Sequence, residues 1–149
     1  FMKKNGYSFS YTNYEEMNGS GEKTGIKVTG PKKITKTGMF NYCWPGCLTV
    51  MYDSSVIGTV QIENIKKNND YAMWLKICKK ANCYLLDECL ALYRKGRIGS
   101  ISTHSIKTMI MWHYKLYRYA EKQNIMMSFY NTIRNLVFGY YKKIKYVKR

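Results

Sequence analysis

Polar and apolar positions alternate from Tyr7 to Tyr14, with Tyr7, Phe9 and Tyr11 on one face and Ser8, Ser10 and Thr12 on the other. A period of two predicts a strand with one side buried. Asn18-Gly19-Ser20-Gly21 supplies residues that tolerate positive φ. Thr24, Ile26 and Val28 alternate again beyond it, so the two runs are expected to form a hairpin. Lys32 to Asn41 is short, basic and weakly helical, and Cys43-Trp44-Pro45-Gly46 breaks it. The apolar run Cys47 to Tyr52 has the length of a strand, ended by Asp53-Ser54-Ser55.

The period then changes. Asn68-Asn69-Asp70 offers small polar caps and a carboxylate for the positive end of a helix. Tyr71, Trp74, Leu75 and Cys78 follow at i, i+3, i+4 and i+7, one apolar stripe. Cys83 to Leu86 and Cys89 to Tyr93 read as two short strands, with Asp87-Glu88 as the turn between them. Arg94 to Ser102 is a basic loop with two Gly and two Ser. From Thr103 the pattern is helical to the end. Ile106, Met109, Ile110 and Tyr117 hold one stripe, and Ile125, Phe129, Ile133, Leu136, Val137 and Tyr140 hold another.

Charge adds what periodicity leaves open. The 149 residues carry 25 Lys and Arg against 9 Asp and Glu, a net charge of +16. Ten of those bases and a single acid, Glu121, lie from His104 onward. Such a balance points to an anionic partner: nucleic acid, phosphate esters or an anionic membrane. No recognised nucleic-acid module is present. No stretch reaches the ~18 apolar residues of a membrane span, and the start, Phe1, shows no secretory signal pattern. The five cysteines, Cys43, Cys47, Cys78, Cys83 and Cys89, match no paired zinc spacing and are expected to be buried, reduced, cytosolic thiols.

Two features carry candidate chemistry. Asp70 stands at a helix start beside Tyr71 and Trp74; a carboxylate there can take the proton of an attacking hydroxyl, though a simple capping acid would occupy the same place. The Arg94–Ser102 loop combines Arg94, Arg97, Ser100 and Ser102 with flexible glycine, a set able to wrap a diphosphate or to be merely a solvated loop. Its residue order is not that of a P-loop. The basic, aromatic C-terminal helices suit an anionic membrane surface as well as ordinary core packing.

In order along the chain, NNDYAMWLKI, NCYLLDECLALYR, GRIGSIS and IMWHYKLYR, with PGCLTVMYD upstream, resemble the family 2 glycosyltransferases of bacterial capsule, teichuronic-acid and lipopolysaccharide assembly. The resemblance covers nearly all of Tyr7 to Tyr119. It implies an α/β fold: the C-terminal part of a GT-A fold, a mixed sheet with helices, then amphipathic helices. It divides the chain into an acceptor and catalytic-base part, 1–102, and basic C-terminal helices, 103–149. It makes Asp70 the base of an inverting transfer from a nucleotide-sugar to a hydroxyl of a glycan or lipid-linked acceptor. Tyr71 and Trp74 would form the acceptor side, and Arg94, Arg97, Ser100 and Ser102 the loop that closes over the donor diphosphate.

Many members of the family it resembles have Glu before the Asp; here it is Asn69. Their first half carries a nucleotide-binding region ending in DxD, and no DxD occurs here. The chain therefore looks like a C-terminal portion, with Mg²⁺ or Mn²⁺ expected for the whole enzyme on ligands mostly outside it, and inactive by itself. The resemblance also implies a cytoplasmic protein, peripheral at the inner face of the plasma membrane, with no nucleic-acid partner. The competing expectation is a non-catalytic basic module on an anionic membrane or other polyanion.

Overall fold

The computed structural model describes residues 1–96 and 105–149. After a short helix α1 (Met2–Asn5) the chain enters β1 (Phe9–Met17), turns, and returns as β2 (Lys23–Val28). These form the expected hairpin, antiparallel with Glu15 opposite Lys27. The short strand β3 (Lys33–Ile34), helix α2 (Lys36–Asn41), a 3₁₀ turn (Cys47–Thr49), strand β4 (Val50–Tyr52) and helix α3 (Ser54–Ile57) follow. Then come α4 (Asn69–Cys78) and the long strand β5 (Cys83–Arg94). The described C-terminal part is α5 (Ile106–Lys115), a π-helical turn (Leu116–Ala120), α6 (Ile125–Tyr146) and β6 (Val147–Lys148).

The strands make one mixed sheet in the order β3-β5-β1-β2-β6, with β4 also pairing β1. β1 and β5 run parallel, and the remaining pairs are antiparallel. The α/β class and the mixed sheet expected from sequence are therefore present. Several details differ. β1 continues to Met17, and its Ser10 is buried beside Phe9 and Tyr11; successive residues of a strand point to opposite faces, so both faces of the sheet are covered there. Only the second half of the Cys47–Tyr52 run is strand; the first half coils into the 3₁₀ turn.

Asp87-Glu88 is not a turn. β5 runs unbroken through it, and the register against β1 slips there, Leu86 opposing Thr12 and Cys89 opposing Asn13. The extra residues form a bulge, and Asn13 Nδ2 donates to Asp87 Oδ1 at 2.7 Å across it. β6, which no pattern announced, brings Lys148 opposite Lys27 and Val147 opposite Val28.

The core gathers Phe9 and Tyr11 from β1, Met39 from α2, Trp44, Tyr71 and Leu75 from α4, and Leu116 with Tyr117 from the π turn. Four helical elements meet on one polar knot inside it. Tyr71 Oη donates to the Met39 carbonyl (2.7 Å) and lies 3.0 Å from Tyr117 Oη. Tyr117 Oη also reaches the Phe40 carbonyl (3.1 Å), and Asn135 Nδ2 donates to both hydroxyls at 3.3 Å. Buried hydroxyls need such partners, and here they tie α2, α4, the π turn and α6 together. Lys79 and Glu121 close the same packing from outside at 2.6 Å. The helices after residue 103 thus share one core with the sheet.

Candidate active site

Asp70 sits in the first turn of α4, half-buried. The turn forms differently from the simple cap expected. Asn68 is the capping residue, with φ 60°, but its side chain makes no capping bond. Instead Asn69 Oδ1 accepts from the Asp70 N–H (2.9 Å), and Asp70 Oδ1 accepts from the Tyr71 N–H (2.8 Å). Two consecutive side chains thus satisfy helix-start amides, and the second fixes the carboxylate at the positive end of the helix.

The Cys43–Cys47 loop lies against this carboxylate. Partial burial, then the Asp70 charge and a hydrogen bond to it, push the exposed Cys47 thiol up. Burial chiefly, with the Asp70 charge adding and Lys142 opposing, pushes the Cys43 thiol well above the ordinary range. Behind the loop, Lys142 of α6 is 8% exposed. It donates to the Trp44 carbonyl at 2.7 Å and stands 5.3 Å from the Tyr42 ring centre. Burial draws its pKa from 10.5 down to about 8, with Cys43 opposing. Asp70, the loop and Lys142 form a single constellation drawn from three separated parts of the chain.

The other predicted site residues are placed apart from it. Tyr71 and Trp74 are buried, 2% and 7% exposed. Tyr71 spends its hydroxyl inside the core, and the Trp74 ring lies 6.0 Å from Phe9. The spacing explains this: both belong to the same stripe as Leu75 and Cys78, whereas Asp70 is about 100° off the Tyr71 direction. Arg94 ends β5 rather than opening a loop, and its Nη1 donates to the Gly19 carbonyl at the tip of the β1–β2 hairpin (2.5 Å). Arg97, Ser100 and Ser102 lie outside the described residues.

Sequence reasoning missed Cys47 and Lys142. The cysteines read as uniformly buried, yet Cys47 and Cys89 are exposed while Cys78 and Cys83 are buried. A small polar-tolerant residue just past Pro45-Gly46, on a loop, was the available sign for Cys47. Lys142 stood among other bases, with nothing local to single it out. A further groove, lined by Lys66, Lys67, Lys115, Trp112 and Tyr119, flanks the segment leading into α4. Among the described residues no group of three or more His, Cys, Asp or Glu side chains could hold a metal ion.

No protein-family model matches the chain. Curated relatives do. The chain is 33% identical over 129 residues, 86% of its length and 50% of the relative, to a Bacillus subtilis protein named as a teichuronic acid biosynthesis glycosyltransferase, TuaG. It is 34% identical over 110 residues, 72% of its length and 42% of the relative, to the Escherichia coli UDP-Glc:alpha-D-GlcNAc-diphosphoundecaprenol beta-1,3-glucosyltransferase WfgD. It is 31% identical over 147 residues, 92% of its length and 54% of the relative, to WfaP, an Escherichia coli enzyme with the same named activity. The chain spans about half the length of these relatives.

Proposed function

From this kinship with bacterial glycosyltransferases of surface-polysaccharide assembly, we propose that the chain is the acceptor and catalytic-base part of an inverting, family 2 enzyme of GT-A type. Asp70 accepts the proton of the acceptor hydroxyl as its oxygen bonds to the anomeric carbon. The bond from that carbon to the donor phosphate breaks, and the nucleoside diphosphate departs from the opposite side. The acceptor is a hydroxyl of a glycan or lipid-linked sugar, met at the cytoplasmic face of the membrane. The lysine-lined groove beside α4 offers charge for the acceptor's own phosphates. Mg²⁺ or Mn²⁺ ligands and the nucleotide pocket are assigned to the portion of the relatives that this chain does not span.

One observation carries the reading: a half-exposed carboxylate held at the first turn of α4 by the Tyr71 N–H, on a helix whose other side is locked into the core. The test is sugar transfer from UDP-glucose to an N-acetylglucosaminyl diphosphate lipid, in the longest form of the protein that transfers sugar. Asp70→Asn should lower turnover by about 10²–10⁴-fold. Asp87→Asn, whose carboxylate is engaged by Asn13, should leave it within about twofold of the parent. Unchanged turnover in Asp70→Asn would remove Asp70 as the base.

A further inference from the structure

Helix α6 is built inside out. A helix on a folded domain normally turns its apolar stripe to the core. Here the buried side chains are Ser128, Asn131, Thr132, Asn135 and Lys142. Each has a partner: Ser128 Oγ the Asn124 carbonyl, Thr132 Oγ1 the Ser128 carbonyl, Asn131 Nδ2 the Gln123 Oε1, Asn135 the two core tyrosines, Lys142 the Trp44 carbonyl. The opposite side carries Met126, Phe129, Ile133, Val137, Tyr140 and Ile144, and every one is exposed, Met126 by 84% and Ile144 by 67%. The sequence pattern singled out this stripe as a candidate core face; the fold buries the other one.

We propose that the outward stripe of α6 is a docking surface for an anionic lipid bilayer, with the helix lying in the plane of the interface. The surrounding residues favour that occupant. At about 100° per residue, Leu136 and Tyr141 widen the apolar sector to about 140°, broader than the seam of a two-helix coiled coil. Lys143 and Lys145 project about a quarter-turn to either side of its centre, both exposed. Bases on the two flanks of an apolar face can reach headgroup phosphates while the face enters the acyl boundary. Lys145 is held at its flank by the Tyr141 hydroxyl, 2.7 Å away.

Lys148 and Arg149 follow, and no acid occurs from Ile125 to Arg149. A second copy of the chain would therefore meet like charge in a parallel pairing, and no acid in α6 could answer its bases in an antiparallel one. Twenty-two residues give a contact about 33 Å long. Among the described residues no helix is long and apolar enough to cross a membrane, so the stripe lies on the bilayer rather than through it. The surface is independent of which residue serves as base.

The test is co-sedimentation of the 149-residue chain with vesicles of phosphatidylcholine alone and of phosphatidylcholine containing phosphatidylglycerol. Binding is expected to the anionic vesicles and to weaken with salt. Lys143→Gln with Lys145→Gln should weaken it by about fivefold for each base removed. Ile133→Glu with Val137→Glu should abolish it with helix content unchanged by circular dichroism, since both side chains point away from the fold. Phe129→Gln, which adds no charge, should weaken binding to the anionic vesicles and leave its salt dependence unchanged. Absent vesicle binding, or vesicle binding untouched by the stripe variants, overturns the proposal. A dimer that these variants disperse, without vesicle binding, overturns it in favour of a second copy.

Discussion

Replacing Lys142 by Met should make the stability of the fold lose one component of its pH dependence. In the folded chain the ammonium is drawn down from 10.5 to about 8 by burial. Below about pH 8 both the folded and unfolded chains hold the proton, and the folded state carries the whole cost of the buried charge. Between about pH 8 and 10.5 the unfolded chain keeps a proton that the folded chain has shed, so stability rises with pH. Each pH unit is worth about 1.4 kcal/mol, so the span amounts to about 3 kcal/mol. The neutral amine can still donate to the Trp44 carbonyl, a bond worth about 1 kcal/mol.

The parent should accordingly be less stable than Lys142→Met by about 2 kcal/mol at neutral pH and more stable by about 1 kcal/mol above pH 10.5. Urea denaturation followed through the buried Trp44 and Trp74 measures both proteins. Cys43, Cys78 and Cys83 have thiols raised by burial, so both proteins also lose stability above about pH 9 as the unfolded chain ionises first. The Cys78 and Cys83 parts of that loss cancel in the difference; Cys43 keeps a small residue, because Lys142 opposes the rise of its thiol in the parent alone. A difference that stays flat from pH 7 to 10.5 would refute the reasoning.

Tyr117→Phe removes a hydroxyl that reaches the Phe40 carbonyl and Tyr71 and that accepts from Asn135, and should cost about 1–3 kcal/mol in thermal unfolding. Asp70→Asn should speed alkylation of Cys47 by iodoacetamide at neutral pH, because burial still raises the thiol but the carboxylate that adds to it is gone; peptide mapping against Cys89, the other exposed cysteine, provides the internal comparison.

The strand and helix that hold the site were legible because each has a clean local period: two in Tyr7 to Tyr14, and i, i+3, i+4, i+7 from Tyr71. The acid at the helix start followed from the same reading. What could not be read locally depends on partners far along the chain. Asp87-Glu88 has the composition of a turn, and only pairing with Asn13 turns it into a bulge within one strand. Val147–Lys148 is a strand only because the edge of β2 receives it. The stripe from Ile125 to Tyr140 has a correct helical period, but periodicity states which side chains lie together and is silent on which way they face. Asn135 finds its partners in the interior, on the Tyr71 and Tyr117 hydroxyls, while Ser128 and Asn131 are satisfied by Asn124 and Gln123 at the start of the same helix, so the polar face can turn inward. Lys142 joined the site for the same reason, through a carbonyl 98 residues away in sequence.

The parallel alliance of β1 with β5 also sets the order in which the fold can be assembled. β1 precedes all its partners in the chain and meets β2 first, through a short hairpin. Its other edge must wait for Cys83–Arg94, more than sixty residues later, and β2 then waits for Val147–Lys148. Closing such loops before their contacts are rewarded makes folding slow. During synthesis the central strand, with Phe9 and Tyr11, stands for that interval with one backbone edge unmatched, open to pairing with a neighbouring chain. The docking of β5 is therefore expected to gate folding: a substitution that hinders it, such as one in the bulge at Asp87, should lower the yield of folded protein more than it lowers the stability of what has folded.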